Sequence, residues 1–250
     1  MVTKPDLKRL AGKVALVTGA SRGVGARTAT LLGEAKAHVA INYRDKLKRA
    51  EEVAAEVRAL GAKALVVKAD ITNADETRLM FAAIKAAFGR LDILVLNASG
   101  GLEKDADPGY AMRLNRDAQA RTLDQALGLM PEGSRVVFVT SHLAHFHGQQ
   151  PVPDVYEPVA ASKRAGEDAL RARIPDLTAR GVSLVVVSGD LIDGTTTPKL
   201  MDRKMPGLIA YRRNAVGHLP TIDDFARAIV GSAADASLAT GDTVYVGSTS

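Results

Sequence analysis

Three glycines, Gly19, Gly23 and Gly25, punctuate the stretch Thr18-Gly19-Ala20-Ser21-Arg22-Gly23-Val24-Gly25. It directly follows an apolar run, Val14–Val17, and precedes a helical pattern. Glycines in that place let the backbone turn tightly and come close to a pyrophosphate. The free N–H groups of a helix start then face the anion. The chemistry this implies is dinucleotide binding, with Ser21, Arg22 and Val24 in the loop that closes on the phosphates. The competing reading is a tight turn with no ligand.

A second set of residues suits proton transfer. Ser141 ends an apolar run, and three of the five histidines, His142, His145 and His147, follow it at once. Histidine titrates near neutral pH and serves as a proton shuttle. His142 and His145 share a face only if a helical turn forms there. No local carboxylate completes a two-histidine metal triad, so no metal site is expected. Tyr156 and Lys163 come next, seven residues apart, with Glu157 as a further acid or a plain helix-start charge. For each histidine, a surface or supporting role competes with catalysis. Cysteine is absent, which excludes a disulfide framework, a thiolate metal site and a cysteine nucleophile. It also agrees with a cytoplasmic protein.

The elements that must position these groups show in the apolar patterning. Short runs rich in Val and Ile recur at Val14–Val17, Val39–Ile41, Ala64–Val67, Ile93–Leu96, Val136–Val139, Val182–Val187 and Thr243–Val246. Continuous apolarity marks strands buried on both faces. Helical periodicity fills the gaps over Lys46–Leu60, Ala74–Phe88 and Val159–Ala179. Alternation of this kind predicts right-handed βαβ units: one α/β domain spanning residues 1–250, with a seven-stranded, mostly parallel sheet and helices on both faces. Gly100–Gly109, His142–Pro158 and Gly189–Pro220 are long connections that should follow strand C-terminal ends, where open sheets bind ligands.

The glycine spacing is TGxxxGxG. With the strand–helix order, it resembles the short-chain dehydrogenase/reductase family from Gly12 to about Val246. Further residues match in order. Asp70, with Ile71 beside it, corresponds to the adenine contact. Asn97-Ala98-Ser99-Gly100 resembles the family's NAG motif. Asn115, Ser141 and Lys163 correspond to three members of the catalytic tetrad. The resemblance implies a doubly wound Rossmann fold, a nicotinamide cofactor and a homodimer or homotetramer built on the Asn115 and Lys163 helices. It also implies a lysine that holds the nicotinamide ribose and lowers the tyrosine pKa. Thr195, Thr196 and Thr197 are able to bond the carboxamide or pyrophosphate, or equally to serve as loop or capping hydroxyls.

Two features are specific to this chain. After the second strand the sequence reads Asn42-Tyr43-Arg44, with no carboxylate before Asp45. An acidic residue there would repel a 2′-phosphate. Arg44 and Arg22, with Tyr43 beside them, instead favour NADP(H) over NAD(H), unless both arginines are simply solvated. The position four before Lys163, where the family has its proton donor, is Val159. The nearest replacement is Tyr156. Pro158 favours a helix start near it, which leaves Tyr156 in the preceding loop, either folded over the site or packed elsewhere. His142 and His145 are the substitutes.

The bulk numbers bound the rest. Of 250 residues, 46% are hydrophobic, which supports a large core. A net charge of +5 with 4% aromatics shows no basic stripe interleaved with stacking residues, so nucleic acid is not expected. Met1–Gly12 has no signal-peptide core, and no apolar run approaches the roughly 18 residues of a membrane span. Lys199, Arg203, Lys204, Arg212 and Arg213 lie in a segment that would cover the site, and suit an anionic substrate or a solvated face alike. The expectation is an NADPH-dependent reductase of a ketone or related carbonyl, anionic or aromatic, with a non-standard proton donor. The alternatives are a cofactor-binding regulatory or accessory protein without turnover, and non-redox chemistry on the same fold.

Overall fold

The computed structural model describes residues 5–102, 107 and 109–249. Its strands are β1 (Val14–Val17), β2 (His38–Tyr43), β3 (Ala64–Lys68), β4 (Ile93–Leu96), β5 (Arg135–Ser141), β6 (Ser183–Gly189) and β7 (Thr243–Val246). They form one sheet in the order β3-β2-β1-β4-β5-β6-β7. All six pairings are parallel, so the sheet is parallel throughout rather than mostly so.

Alternate side chains of each strand enter different layers. Ala15 and Val17 of β1 join one apolar cluster with β2 residues such as Val39 and Ile41. Val14 and Leu16 join the other, with Val136 and Phe138 of β5. The first layer is covered by α1 (Gly23–Glu34), α2 (Leu47–Ala59) and α11 (Ile222–Ala234). The second is covered by α3 (Ala74–Phe88), α5 (Ala118–Ala126), α7 (Glu157–Arg171) and α8 (Ile174–Ala179). Both faces bury apolar surface, which explains the unbroken apolar runs.

Two helices depart from the sequence reading. Val159–Ala179 is not continuous. Pro175 lies in the first turn of α8, where its missing N–H leaves no bond unmade, so the chain begins a second helix after Ala172–Arg173. Ahead of α5 comes α4 (Tyr110–Met112), joined to it by a π-helical turn, Arg113–Asp117, that carries Asn115. The remaining helices are a single turn, α6 (His142–His145), and two segments after β6, α9 (Thr196–Lys204) and α10 (Leu208–Val216).

β1 lies between β2 and β4, so the strand order reverses there. The connections diverge there and open a crevice above the strand C-termini, the place where such sheets take ligands.

Candidate active site

A cavity of about 630 Å³ occupies that crevice, and residues at or just beyond the ends of β1 to β6 line it. Most of the site residues named from the sequence lie in its wall. They include the glycine loop from Gly19 through Ser21, Arg22, Gly23 and Val24 to Gly25, Arg44 after β2, and Asp70 and Ile71 after β3. Asn97, Ala98 and Ser99 line it after β4, Ser141 at the end of β5, and Tyr156, Lys163 and Thr195 complete the set.

The loops at the first crossover are locked together by polar bonds. Thr18 Oγ1 accepts from the backbone N–H groups of Asn97 and Ala98 at 2.9 and 3.0 Å, and Asn97 Nδ2 donates to the Thr18 carbonyl at 2.9 Å. Gly25 must be a glycine, since a Cβ there would stand 2.5 Å from Asn97 Nδ2 and 2.6 Å from the Gly19 carbonyl. Gly19 N–H donates to Asn42 Oδ1 at 3.1 Å. The result is a bare backbone cradle that a pyrophosphate fits and a side chain would fill.

Beyond the cradle the wall is basic. Arg22, Arg44, Lys46 and Arg49 face it, against the carboxylates of Asp45 and Asp70. Arg44 Nε donates to Asp45 at 2.8 Å and its Nη1 to the Tyr110 hydroxyl at 2.5 Å. The bond from Arg44 holds the Asp45 carboxyl below its usual value and fixes the arginine at the mouth. Asn42, Lys46, Arg49 and Tyr110 were not singled out from the sequence. The basic start of α2 was the available signal for Lys46 and Arg49. Tyr43 behaves differently from expectation. Strand alternation turns it away from the cavity into the layer under α1 and α2, and Asn42 faces inward in its place.

At the other end Tyr156 sits immediately before α7, 4% exposed, with its hydroxyl 3.2 Å from Ser141 Oγ. The loop between α6 and α7 folds back so that this phenol and Lys163, seven residues and about two helix turns further along, meet the same cavity. Val159 instead packs in an apolar cluster with Tyr156, Ala144, Ala160 and Met201. Burial pushes the Tyr156 phenol up, opposed by its bond to Ser141. That is the reverse of the lowering the family pattern implies. Burial also pushes Lys163 down to about 8, partly offset by the Glu167 carboxylate. At neutral pH the pair is therefore a neutral phenol beside an ammonium group.

Asn115 and His145 do not line the cavity. Asn115 Nδ2 donates to Ser162 Oγ at 3.0 Å and to the Gly100 carbonyl at 2.9 Å, so its side chain ties α7 to the loop after β4. Gly166 lets that contact happen, because any Cβ there would collide with the Asn115 carbonyl oxygen. A helical turn does form at His142–His145, but neither ring lines the cavity. His145 Nδ1 is 2.9 Å from Glu167 Oε1, and its Nε2 is 3.1 Å from the Tyr245 hydroxyl. His142 Nδ1 is 2.8 Å from Ser188 Oγ, and burial pushes this imidazole down to about 4. His147 pairs with Glu157 at the surface. Among the described residues there is no cluster able to hold a metal.

The segment after β6 crosses the reaction end. Arg212 of α10 donates through Nε and Nη2 to both oxygens of Asp190, a cavity residue, at 2.8 to 3.1 Å. Arg213 pairs with Asp193 at 3.1 Å. Thr195 Oγ1 donates to the Ile192 carbonyl at 2.9 Å, and Thr197 lines the cavity. The side chain of Thr196, like residues 103–106 and 108 of the loop after β4, lies outside the described set. No helix among the described residues is long and apolar enough to cross a membrane.

Comparison with known proteins agrees with this geometry. Residues 13–204 match the family described as short chain dehydrogenase. Versicolorin reductase 1 of Aspergillus parasiticus is 38% identical over 149 residues, 57% of this chain and 57% of that protein. The chain thus spans little more than half of that relative. A hydroxynaphthalene reductase-like protein, Arp2, of Metarhizium majus is 34% identical over 72% of this chain and 68% of its own. A short chain dehydrogenase from Burkholderia cenocepacia, solved in complex with NADP, superposes with a TM-score of 0.82 at 31% identity, covering 96% of this chain and 98% of that one. Its match over almost the full length of both chains identifies the seven-stranded parallel sheet as the Rossmann-like α/β fold. On these matches the chain belongs to the short-chain dehydrogenase/reductase family of oxidoreductases.

Proposed function

We propose that this protein is an NADPH-dependent reductase of a neutral, largely apolar ketone or related carbonyl, and that Tyr156 is its proton donor. The observation that carries the reading is the Tyr156 hydroxyl, 3.2 Å from Ser141 Oγ in the same cavity wall as Lys163. Tyr156 stands three residues ahead of the position where the family has its donor, at the cap of α7, and from there it reaches the serine.

The bare cradle at Gly25 and the basic wall fit a dinucleotide phosphate. Arg44, Arg22, Lys46 and Arg49 outnumber Asp45 and Asp70 and favour a 2′-phosphate by charge-assisted bonds. When bound, the dinucleotide supplies a hydride. Lys163 holds the ribose and keeps positive charge close to the developing alkoxide. Ser141 donates to the carbonyl oxygen, and Tyr156 delivers the proton to it. A phenol raised by burial is fully protonated at neutral pH, which suits reduction rather than alcohol oxidation.

Leu191, Ile192 and Pro198 of the segment after β6 line the cavity, which favours an uncharged substrate. Arg212 and Arg213 are already paired with aspartates, which argues against the anionic substrate. The names of the versicolorin and hydroxynaphthalene reductase relatives point towards aromatic ketones. One catalytic domain, a cytoplasmic location and a homodimer or homotetramer through α5 and α7 complete the reading. A second reading, an NADP(H)-binding regulatory or accessory protein, is favoured by Val159 at the usual donor position.

The test is NADPH oxidation over a panel of aromatic and alicyclic ketones, with cofactor binding followed by fluorescence. The expected result is turnover by wild type and normal NADPH binding by Tyr156→Phe with a rate about 10²–10⁴-fold lower. Tight NADPH binding with no ketone reduced would leave the regulatory reading in place. Undiminished turnover by Tyr156→Phe would remove the phenol from the mechanism.

A further inference from the structure

Glu167 is 0% exposed, and three bonds end on its carboxylate. His145 Nδ1 donates to Oε1 and Oε2 at 2.9 and 3.0 Å, and Arg171 Nε donates to Oε1 at 2.8 Å. A carboxylate this deep is expensive to bury, so its partners must be firmly held. The bonds from His145 and Arg171 outweigh burial and keep the group ionised.

What it connects lies on either side. Glu167 is four residues beyond Lys163 on α7, one turn along the same face, where its charge acts on the ammonium group. Through His145 it grips α6, whose N-cap is Ser141, the residue bonded to Tyr156. Arg164 reinforces the junction by donating to the His145 carbonyl at 2.8 Å. Most of the other polar groups around this point have partners of their own. Tyr245 of β7 caps His145, and Arg171 also holds the Gly241 carbonyl and Thr243. Arg164 and Asp168 pair on the outer flank of α7, and Arg116 and Asp117 of the π turn pair on its exposed side. Asn115 faces α7 through Ser162. Tyr156 and Asp190 share the cavity with Lys163, and His142 stands neutral behind them on Ser188.

We propose that Glu167 is a positioning residue for the reaction: one buried carboxylate that sustains the charge of Lys163 and, through His145, fixes the turn that presents Ser141 to Tyr156. The proposal rests on the reductase reading for its kinetic consequence but not for its physical one. The two therefore separate. The ε-ammonium titration of Lys163, read by NMR in lysine-labelled full-length protein with the signal assigned by its loss in Lys163→Met, requires no turnover.

Glu167→Gln keeps the shape and most of the bonds but removes the charge. Its Lys163 should titrate about one pH unit lower than in wild type, and the alkaline limb of kcat/KM for ketone reduction should move down with it. Arg171→Met leaves Glu167 ionised with one cation fewer, so the same titration should move up. His145→Gln preserves the carboxylate but loosens α6. It should lower kcat while leaving the Lys163 titration in place. The opposite signs for Glu167→Gln and Arg171→Met are the signature, and Arg171→Met with His145→Gln carries the test alone should Glu167→Gln fail to fold. A Lys163 titration that coincides with wild type in Arg171→Met, or in a folded Glu167→Gln, would overturn the proposal. If the titrations shift as expected while no variant nor wild type reduces any ketone, the positioning of Lys163 stands and the reductase reading falls.

Discussion

Lys163 should make the protein less stable for the sake of its cofactor, and the size of that effect follows from its burial. The side chain is 7% exposed, and burial moves its pKa from 10.5 to about 8. Each pH unit of such a displacement is worth about 1.4 kcal/mol, so holding the charged amine in the cofactor-free fold at pH 7 costs roughly 3 kcal/mol. Lys163→Met keeps a long unbranched side chain and removes the charge, while Glu167 retains His145 and Arg171 as partners. The cofactor-free variant should therefore be more stable than wild type by about 2–3 kcal/mol at pH 7. At about 2–4 °C per kcal/mol for a chain of this size, its Tm should rise by roughly 5–10 °C. The pH dependence has a definite sign. The folded pKa lies below the unfolded one, so between about pH 8 and 10.5 the unfolded chain carries a proton the folded chain lacks. Wild-type stability then rises with pH across that window relative to Lys163→Met, and the difference between the two closes. With NADPH at about 100 times its Kd, wild type should gain about 2.7 kcal/mol and the variant much less, which brings the order close to inversion. Thermal and urea melts of both proteins at pH 7 and pH 10, with and without NADPH, read all of this. A cofactor-free variant no more stable than wild type at pH 7 would refute the reasoning.

Two further outcomes are expected. His142 is held neutral with its pKa down at about 4 against 6.5 in the unfolded chain, so stability should be lost as pH falls through that window, by roughly 3 kcal/mol in total. Acid melts of His142→Asn should show a correspondingly flatter limb, and an unchanged limb would mean the ring is hydrated or charged in the fold. Arg44→Ala should weaken NADPH binding about 10–100-fold, the worth of a charge-assisted bond, and leave NADH nearly untouched. Fluorescence titration with both cofactors would show an equal loss for the two if Arg44 serves only to brace Asp45 and Tyr110.

The sequence was most legible where one physical rule dominates. β1 and β4 begin and end at the predicted residues, because burial on both faces leaves no reason for a polar residue inside them. The glycine cradle was legible because close packing against Asn97 and the Gly19 carbonyl leaves no room for a side chain. What escaped depends on contacts between distant segments. The π turn at Asn115 has no local signature and exists alongside the close approach of Gly166 on α7. The orientation of the His142–His145 turn follows from Glu167 and Ser188, which lie 22 and 46 residues further along the chain. Tyr43 was misjudged because a strand's period of two leaves its final residue facing whichever layer the register dictates. Tyr156 was a choice between two readings in the sequence. The fold brings its hydroxyl to Ser141 through the loop at residues 146–156, whose path no periodicity encodes.

Ser141 is also the N-cap of α6, accepting from the Ala144 N–H at 3.3 Å. A hydroxyl has one proton and two lone pairs, and the cap takes one of those pairs permanently. If Tyr156 donates into the second, neither of the bonds made by this hydroxyl among the described residues takes its proton, which is left for an oxygen that enters the cavity. With the tyrosine as donor, the one-turn helix acts as a rectifier. By filling one acceptor site with a backbone amide, it gives a freely rotating hydroxyl a polarity, so that the serine faces an incoming substrate as a donor before any chemistry begins.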